Sequence, residues 1–317
     1  MYKSGRKAFQ ARLDENGKTR WVTLGKHVHQ NWQTLKDFVF PELGDVRLDQ
    51  IRQRDIVRIL DPVWREKHET ARRTLGRVSE IYELAKVHEL VEVNPADFSL
   101  KAAFGSYRRQ HKHHAALPLE QVPEFWKWLR TVRCDEMTRQ ITMLLVLTAK
   151  RTTEARFACW SDFNEERTTW TTSQERIKMR RGHRVPLVWQ TQIILDNLDN
   201  LDLIRAEGTN RVFGKPRSKS GVISENAALN LVKRFDPGIT MHGFRSSFRS
   251  WARKEARYHY DVMEIALSHE KDDLIAAYER DDLLEERRPM MTHWADFVTG
   301  GEDPVSLRAQ LAERAVR

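Results

Sequence analysis

The sequence predicts a mainly α-helical protein with a small antiparallel β-sheet, organised as an all-helical domain followed by a mixed α+β domain. Three observations predict it. Apolar residues recur at helical spacing through most of the chain. Only a few short runs, at residues 7–24, 168–172 and 184–188, read as strands. A strongly basic run, residues 107–114, separates two stretches that each carry enough apolar residues for a core, and 317 residues is a length suited to two domains.

In chain order, residues 7–24 alternate modestly through Phe9, Arg12 and Leu13, then Trp21 to Leu24, around Asn16-Gly17. That dipeptide between two such runs predicts a hairpin, assigned here to residues 1–25. Two strands alone are marginally stable, so the hairpin must dock on something. Residues 26–106 read as an all-helical domain. Trp32, Leu35, Phe38 and Val39 mark a first helix, stopped by Pro41 and Gly44. Ile56, Ile59, Leu60 and Val63 mark a second, with Pro62 near its end. Ala71, Leu75, Val78, Tyr82, Ala85 and Leu90 mark a long amphipathic third, whose outward side carries Arg72, Arg73, Arg77 and Lys86. Asn94-Pro95-Ala96 then predicts the start of a short helix.

Residues 107–117 form a basic linker with Arg108, Arg109 and Lys112. Its three histidines have no carboxylate or cysteine beside them, and the neighbouring cations repel a metal ion, so it reads as a phosphate-facing segment. Residues 118–299 form the second domain. Phe125, Trp128 and Leu129 give one helix, residues 141–148 a buried one, and 152–159 a short one. The β-like runs 168–172 and 184–188 follow, with Lys178, Arg180 and Arg181 between them. Helices at 190–203, 224–235 and 283–298 complete it, and residues 300–317 read as a charged tail after a Gly-Gly break. The last helix carries an apolar stripe of Met290, Met291, Trp294 and Phe297, which by itself reads as packing on its own domain.

The stretch 240–278 organises the rest. Phe244, Phe248 and Trp251 recur at helical spacing and should face a core. His242 and Arg245, three apart, share another face, and an imidazole with a guanidinium is suited to gripping an anion such as a phosphate. A short helix over 260–268 would present His269 at its end, with Tyr278 nine residues on. Singly these are weak signals. A tyrosine is ordinarily a packed aromatic, His-x-x-Arg a solvated face, and a histidine after a helix a cap.

Charge narrows the partner. Fifty-four Lys and Arg against 45 Asp and Glu give +9, with a pI near 9.6. A polyanion is implied, nucleic acid first and an anionic membrane surface second. Cys134 and Cys159 are the only cysteines, so neither a disulfide framework nor a Cys-x-x-Cys metal pattern is present in the sequence. The absence of a secretory signal and of any apolar run longer than residues 141–147 leads to the expectation of a reducing cytosol.

At this point the residues resemble a family. Thr148-Ala149-Lys150-Arg151-Thr152-Thr153-Glu154 resembles the Thr-Gly-x-Arg-x-x-Glu box of the tyrosine recombinases, the phage-type integrases. Lys178, ahead of Val185-Pro186-Leu187, looks like that family's β-hairpin lysine. His242-Gly243-Phe244-Arg245 matches its His-x-x-Arg box, Leu267-Ser268-His269 its third box, and Tyr278 falls at the expected distance beyond. Phe40-Pro41-Glu42-Leu43-Gly44, Glu69-Thr70-Ala71, Asn94-Pro95-Ala96 and Trp294-Ala295-Asp296-Phe297 echo the satellite-phage and genomic-island branch. The match runs from about residue 31 to 298, with five catalytic elements in order. It departs at Ala149, where the box has glycine, and in residues 1–25, where that branch carries a larger arm-DNA-binding domain.

The resemblance implies a recombinase with Arg151, Lys178, His242, Arg245, His269 and Tyr278 as catalytic residues and Glu154 bracing Arg151 or His242. It implies a clamp around double-stranded DNA attachment sites, with Arg72, Arg73, Arg77, Arg108, Arg109, Lys112, Arg180, Arg181 and His183 along the DNA. No cofactor and no metal are expected. A homotetramer is expected at synapsis, with the apolar stripe of the last helix docked on a neighbouring subunit as the alternative to packing on its own domain. A monomer or dimer is expected off DNA, with an accessory DNA-bending protein and an excisionase as further partners. No membrane is expected, and the location is cytoplasmic, at the nucleoid. The competing readings are an idle or regulatory DNA-binding remnant and a relaxing enzyme of the type IB topoisomerase kind.

Overall fold

The computed structural model describes residues 9–15, 18–24, 28–106, 116–172, 182–200, 210–215, 218, 220–268 and 282–315. The chain divides into two units, residues 1–110 and 111–317.

In the first unit, β1 (Phe9–Glu15) and β2 (Lys18–Leu24) pair antiparallel, with Phe9 opposite Leu24 and Glu15 opposite Lys18. Helices α1 (Val28–Phe38), α2 (Phe40–Leu43), α3 (Gln53–Glu66), α4 (His68–Val87) and α5 (Leu100–Phe104) follow. Leu35 and Val39 near the end of α1, Ile56 and Leu60 of α3, and Leu75, Val78 and Tyr82 of α4 form one buried core, as their spacing predicts. Asn94 departs from expectation. Its Oδ1 accepts from the Ala96 amide at 2.9 Å and its Nδ2 donates to Ser79 Oγ and Glu83 Oε1, so the segment makes a turn tied to α4. The helix starts only at Leu100, capped by Ser99, whose Oγ accepts from the Ala102 amide.

The second unit is built around α7 (Glu136–Thr148), in which every residue from Arg139 to Thr148 is buried. Asp135 caps it by accepting from the Thr138 amide at 2.9 Å. Around it pack α6 (Val122–Thr131), α8 (Thr152–Arg156), α9 (Trp189–Asn200), α10 (Ala227–Phe235) and α13 (Leu284–Thr299). β3 (Thr169–Thr172) and β4 (His183–Pro186) form an antiparallel pair, with Thr172 opposite His183. α11 (Gly243–Lys254) and α12 (Tyr260–Ala266) precede α13.

Two expectations change here. The apolar stripe of α13 lies inside its own unit. Met290, Met291 and Trp294 are buried, and Trp294 Nε1 donates to Val146 O of α7 at 2.9 Å, which replaces the reading of a stripe docked on a neighbour. The charged segment 300–317 is a helix, α14 (Pro304–Ala315), whose Leu307 and Leu311, one turn apart, are buried where it packs on α9. Among the described residues, no helix is long and apolar enough to cross a membrane.

Candidate phosphate-binding site

Three chain reversals build the site. The first follows α7, where Ala149 adopts a left-handed conformation (φ +49°) and turns the chain into Lys150 and Arg151, the residue at the N-terminus of α8. The second is the start of α11, which places His242 at the cap position and Arg245 in the first turn. The third follows α12, where Ser268 is left-handed as well (φ +49°). Non-glycine residues in this conformation cost energy and concentrate at functional sites.

Arg245 is buried, 5% exposed, and its two terminal nitrogens donate to Ala149 O and Leu267 O. Arg151 stays partly open. Its Nη1 donates to Glu154 Oε1 at 3.0 Å and its Nη2 to Ser268 O at 2.9 Å. The two guanidiniums therefore meet at one turn, Leu267-Ser268, and Arg245 also reaches back to Ala149 O. Burial pushes the Arg245 guanidinium down to about 10, and the nearby charge of Arg151 pushes it further the same way, against Glu154 and Glu264. It remains a cation at neutral pH. Two such cations held near each other by main-chain carbonyls attract an anion, and their forked donors match phosphate oxygens.

Glu154 also meets Lys150, whose Nζ lies 3.3 Å from Oε2. Sequence reasoning missed Lys150. Its ammonium donates to Thr172 Oγ1 of β3 at 2.8 Å and sits 4.5 Å from the Trp170 ring centroid. Burial lowers it to about 8, with Glu154 opposing that shift.

His183 requires a correction. Assigned to the DNA-facing set, it is instead buried in its unit, with Nε2 3.0 Å from Ile265 O of α12 and Arg287 of α13 beside it. Burial first, then Lys150 and Arg287, holds the imidazole well below its ordinary value, so it is neutral and does not offer a charge to a phosphate. Arg77 is likewise half-buried and turned toward α1, where it donates to Thr34 Oγ1, whereas Arg72 and Arg73 remain exposed on α4. His242 is exposed at the mouth of α11. Arg184 makes a bidentate pair with Asp282, both contacts at 2.7 Å, which fixes on β4 the chain four residues past Tyr278.

Arg287, also missed, is fully buried and donates to Arg184 O at 2.7 Å. Its place one turn before Met290 and Met291, in the same apolar stripe, was the available signal. Lys178, Arg180, Arg181, His269, Tyr278, Arg108, Arg109 and Lys112 lie outside the described residues.

The profile of the phage integrase central domain matches residues 8–102. Prophage integrase IntA of Escherichia coli (strain K12) is 32% identical over 278 residues, covering 86% of this chain and 65% of IntA. IntB of the same strain is 31% identical over 293 residues, covering 86% of this chain and 72% of IntB. The chain thus spans about two thirds of the length of these curated relatives. Among solved structures, a lambda integrase dimer bound to a COC′ core site superposes with a TM-score of 0.56 at 18% identity, covering 80% of this chain and 87% of that one, so the fold is shared. On these matches, the chain belongs to the phage integrase family of tyrosine recombinases.

Proposed function

We propose that this protein is a site-specific DNA recombinase that integrates or excises a prophage or genomic island by cutting and rejoining strands through a 3′-phosphotyrosyl intermediate. The observation that carries this reading is the convergence of Arg151 and Arg245 on the turn Leu267-Ser268, with Arg245 also bound to Ala149 O.

A phenol, with a pKa near about 10, is a weak nucleophile, and the phosphodiester it attacks is anionic. Arg151 and Arg245 donate to the non-bridging oxygens and neutralise charge that shifts in the transition state. Tyr278 Oη gives up its proton to His242 or to water and forms a bond to phosphorus, the bond to the deoxyribose O5′ breaks, and Lys178 protonates that oxygen as it leaves. His242 assists proton transfer or holds the phosphate, and His269 hydrogen-bonds it. The phosphotyrosine conserves the bond energy, so the 5′ hydroxyl of another strand reverses the step without a cofactor. Arg72 and Arg73, with Arg108, Arg109, Lys112, Arg180 and Arg181, follow the DNA backbone.

The partners are double-stranded attachment sites, a homotetramer at synapsis, and an accessory DNA-bending protein and excisionase, acting in the cytoplasm at the nucleoid. The name of IntA, a prophage integrase, and the core-site DNA bound by the lambda integrase dimer support the DNA partner.

The test uses duplexes from the DNA flanking the coding region, nicked near each candidate cleavage position. Wild type is expected to give an SDS-resistant protein–DNA adduct and Tyr278→Phe none. Specific binding without any adduct would make the protein a regulatory DNA-binding remnant. Relaxation of supercoiled DNA irrespective of sequence would make it a topoisomerase-like enzyme.

A further inference from the structure

The geometry points to Lys150 as a positioning residue, which ties the base of the β3–β4 hairpin to Arg151 through the Glu154 carboxylate. This inference rests on the recombinase reading above and adds to it a residue in direct contact neither with DNA nor with the reacting atoms.

The contacts form one chain. Thr172 Oγ1 accepts from Lys150 Nζ at 2.8 Å, and that ammonium lies 3.3 Å from Glu154 Oε2. Glu154 Oε1 accepts from Arg151 at 3.0 Å, and Arg151 donates on to Ser268 O at 2.9 Å. The chain begins at the last residue of β3, six positions before Lys178, and ends at the residue before His269. It therefore connects the roots of two segments that carry proposed reacting groups to the guanidinium proposed to bind the phosphate.

Two physical arguments favour a positioning role. A carboxylate facing Arg151 alone would concentrate its charge on that guanidinium and compete with an incoming phosphate. Lys150, on the other oxygen, shares that charge and leaves Arg151 more open to the DNA. In addition, the Lys150 side chain is completely buried, and taking an ammonium out of water is costly, so a buried ion pair is weak evidence of a stabilising role. The downward shift of the ammonium to about 8 expresses that cost. A buried cation aimed at the carboxylate that holds Arg151 is thus better explained by the site than by folding.

Lys150→Met keeps the stem and removes the charge. Expected are a folded protein with a cooperative thermal transition, DNA affinity within about threefold, and a first-order rate of covalent adduct formation lower by about tenfold or more. Thr172→Val, which removes the tie to the hairpin, should slow the same step by a smaller factor. Glu154→Gln combined with Lys150→Met should be no slower than Lys150→Met alone, because the competing charge is gone.

A folded Lys150→Met protein that forms adduct at the wild-type rate, or losses that multiply in the double variant, would overturn the inference. If wild type itself forms no adduct, the recombinase reading fails. The tie is then read from hydrogen exchange, which must be faster at the amides of Thr169–Thr172 in Lys150→Met than in wild type. Unchanged exchange there would overturn it independently.

Discussion

Arg151 and Arg245 hold consecutive carbonyls of a single turn, Arg151 donating to Ser268 O and Arg245 to Leu267 O. The two arginines come from the N-terminal ends of different helices, 94 positions apart in the chain (245 − 151). The turn after α12 is what brings them to one place.

The two arginines should therefore fail differently. Arg151→Lys keeps the positive charge but loses the planar fork, so adduct formation should fall by at least about a hundredfold while folding is little changed. Arg245→Lys should lose activity as severely and also destabilise the protein by about 1–3 kcal/mol, because buried carbonyls lose donors. Single-turnover cleavage and denaturant unfolding of both variants check this. Equal stability of the two would contradict the assignment of Arg245 as the buried member.

Ala149 stands in a left-handed turn where a Cβ is unfavourable. Ala149→Gly should raise stability by about 1 kcal/mol and preserve the carbonyl that Arg245 uses. Urea unfolding measures the change, and a loss of stability would show that the turn is not strained in solution.

His183 gives a pH dependence with a definite sign. Burial depresses its folded-state pKa below the ordinary 6.5, so the unfolded chain binds a proton that the folded chain refuses. Stability contributed by the neutral ring is present above about pH 6.5 and is lost as pH falls below it, by up to about 1.4 kcal/mol per pH unit. His183→Gln, which keeps a donor near Ile265 O, should flatten the fall in melting temperature between pH 6.5 and 5. Parallel pH profiles would contradict the buried neutral state.

The C-terminal helix α14 should be part of the folded second unit. Leu311→Ala removes a buried side chain from its contact with that unit and should cost about 2–4 kcal/mol. Thermal unfolding checks this, and a change under about 0.5 kcal/mol would mean the helix is peripheral.

Much of this could be read from the residues. Phe244, Phe248 and Trp251 face the core as their spacing predicts, because a helix buries one stripe whatever its neighbours are. The Arg151–Glu154 contact follows from a spacing of three on a helix. What could not be read depended on tertiary packing. Arg287 of α13 and the Ile265 carbonyl of α12 enclose His183, and neither is near it in sequence. Lys150 resembles a surface lysine until β3 is laid over it. The helix at 304–315 was hidden because only Leu307 and Leu311 mark its buried face among charged residues. Asn94-Pro95 signals a helix start and a turn equally well, and the contacts of its side chain with α4 decide for the turn.

The most direct test of the central claim is to map the covalent bond itself. Wild-type protein trapped on a nicked attachment-site duplex is digested with nuclease and trypsin, and the nucleotide-bearing peptide is sequenced by mass spectrometry. The account predicts the phosphodiester remnant on Tyr278, in the peptide of residues 272–280. A remnant on any other side chain would contradict it, as would a trapped complex with no covalent bond.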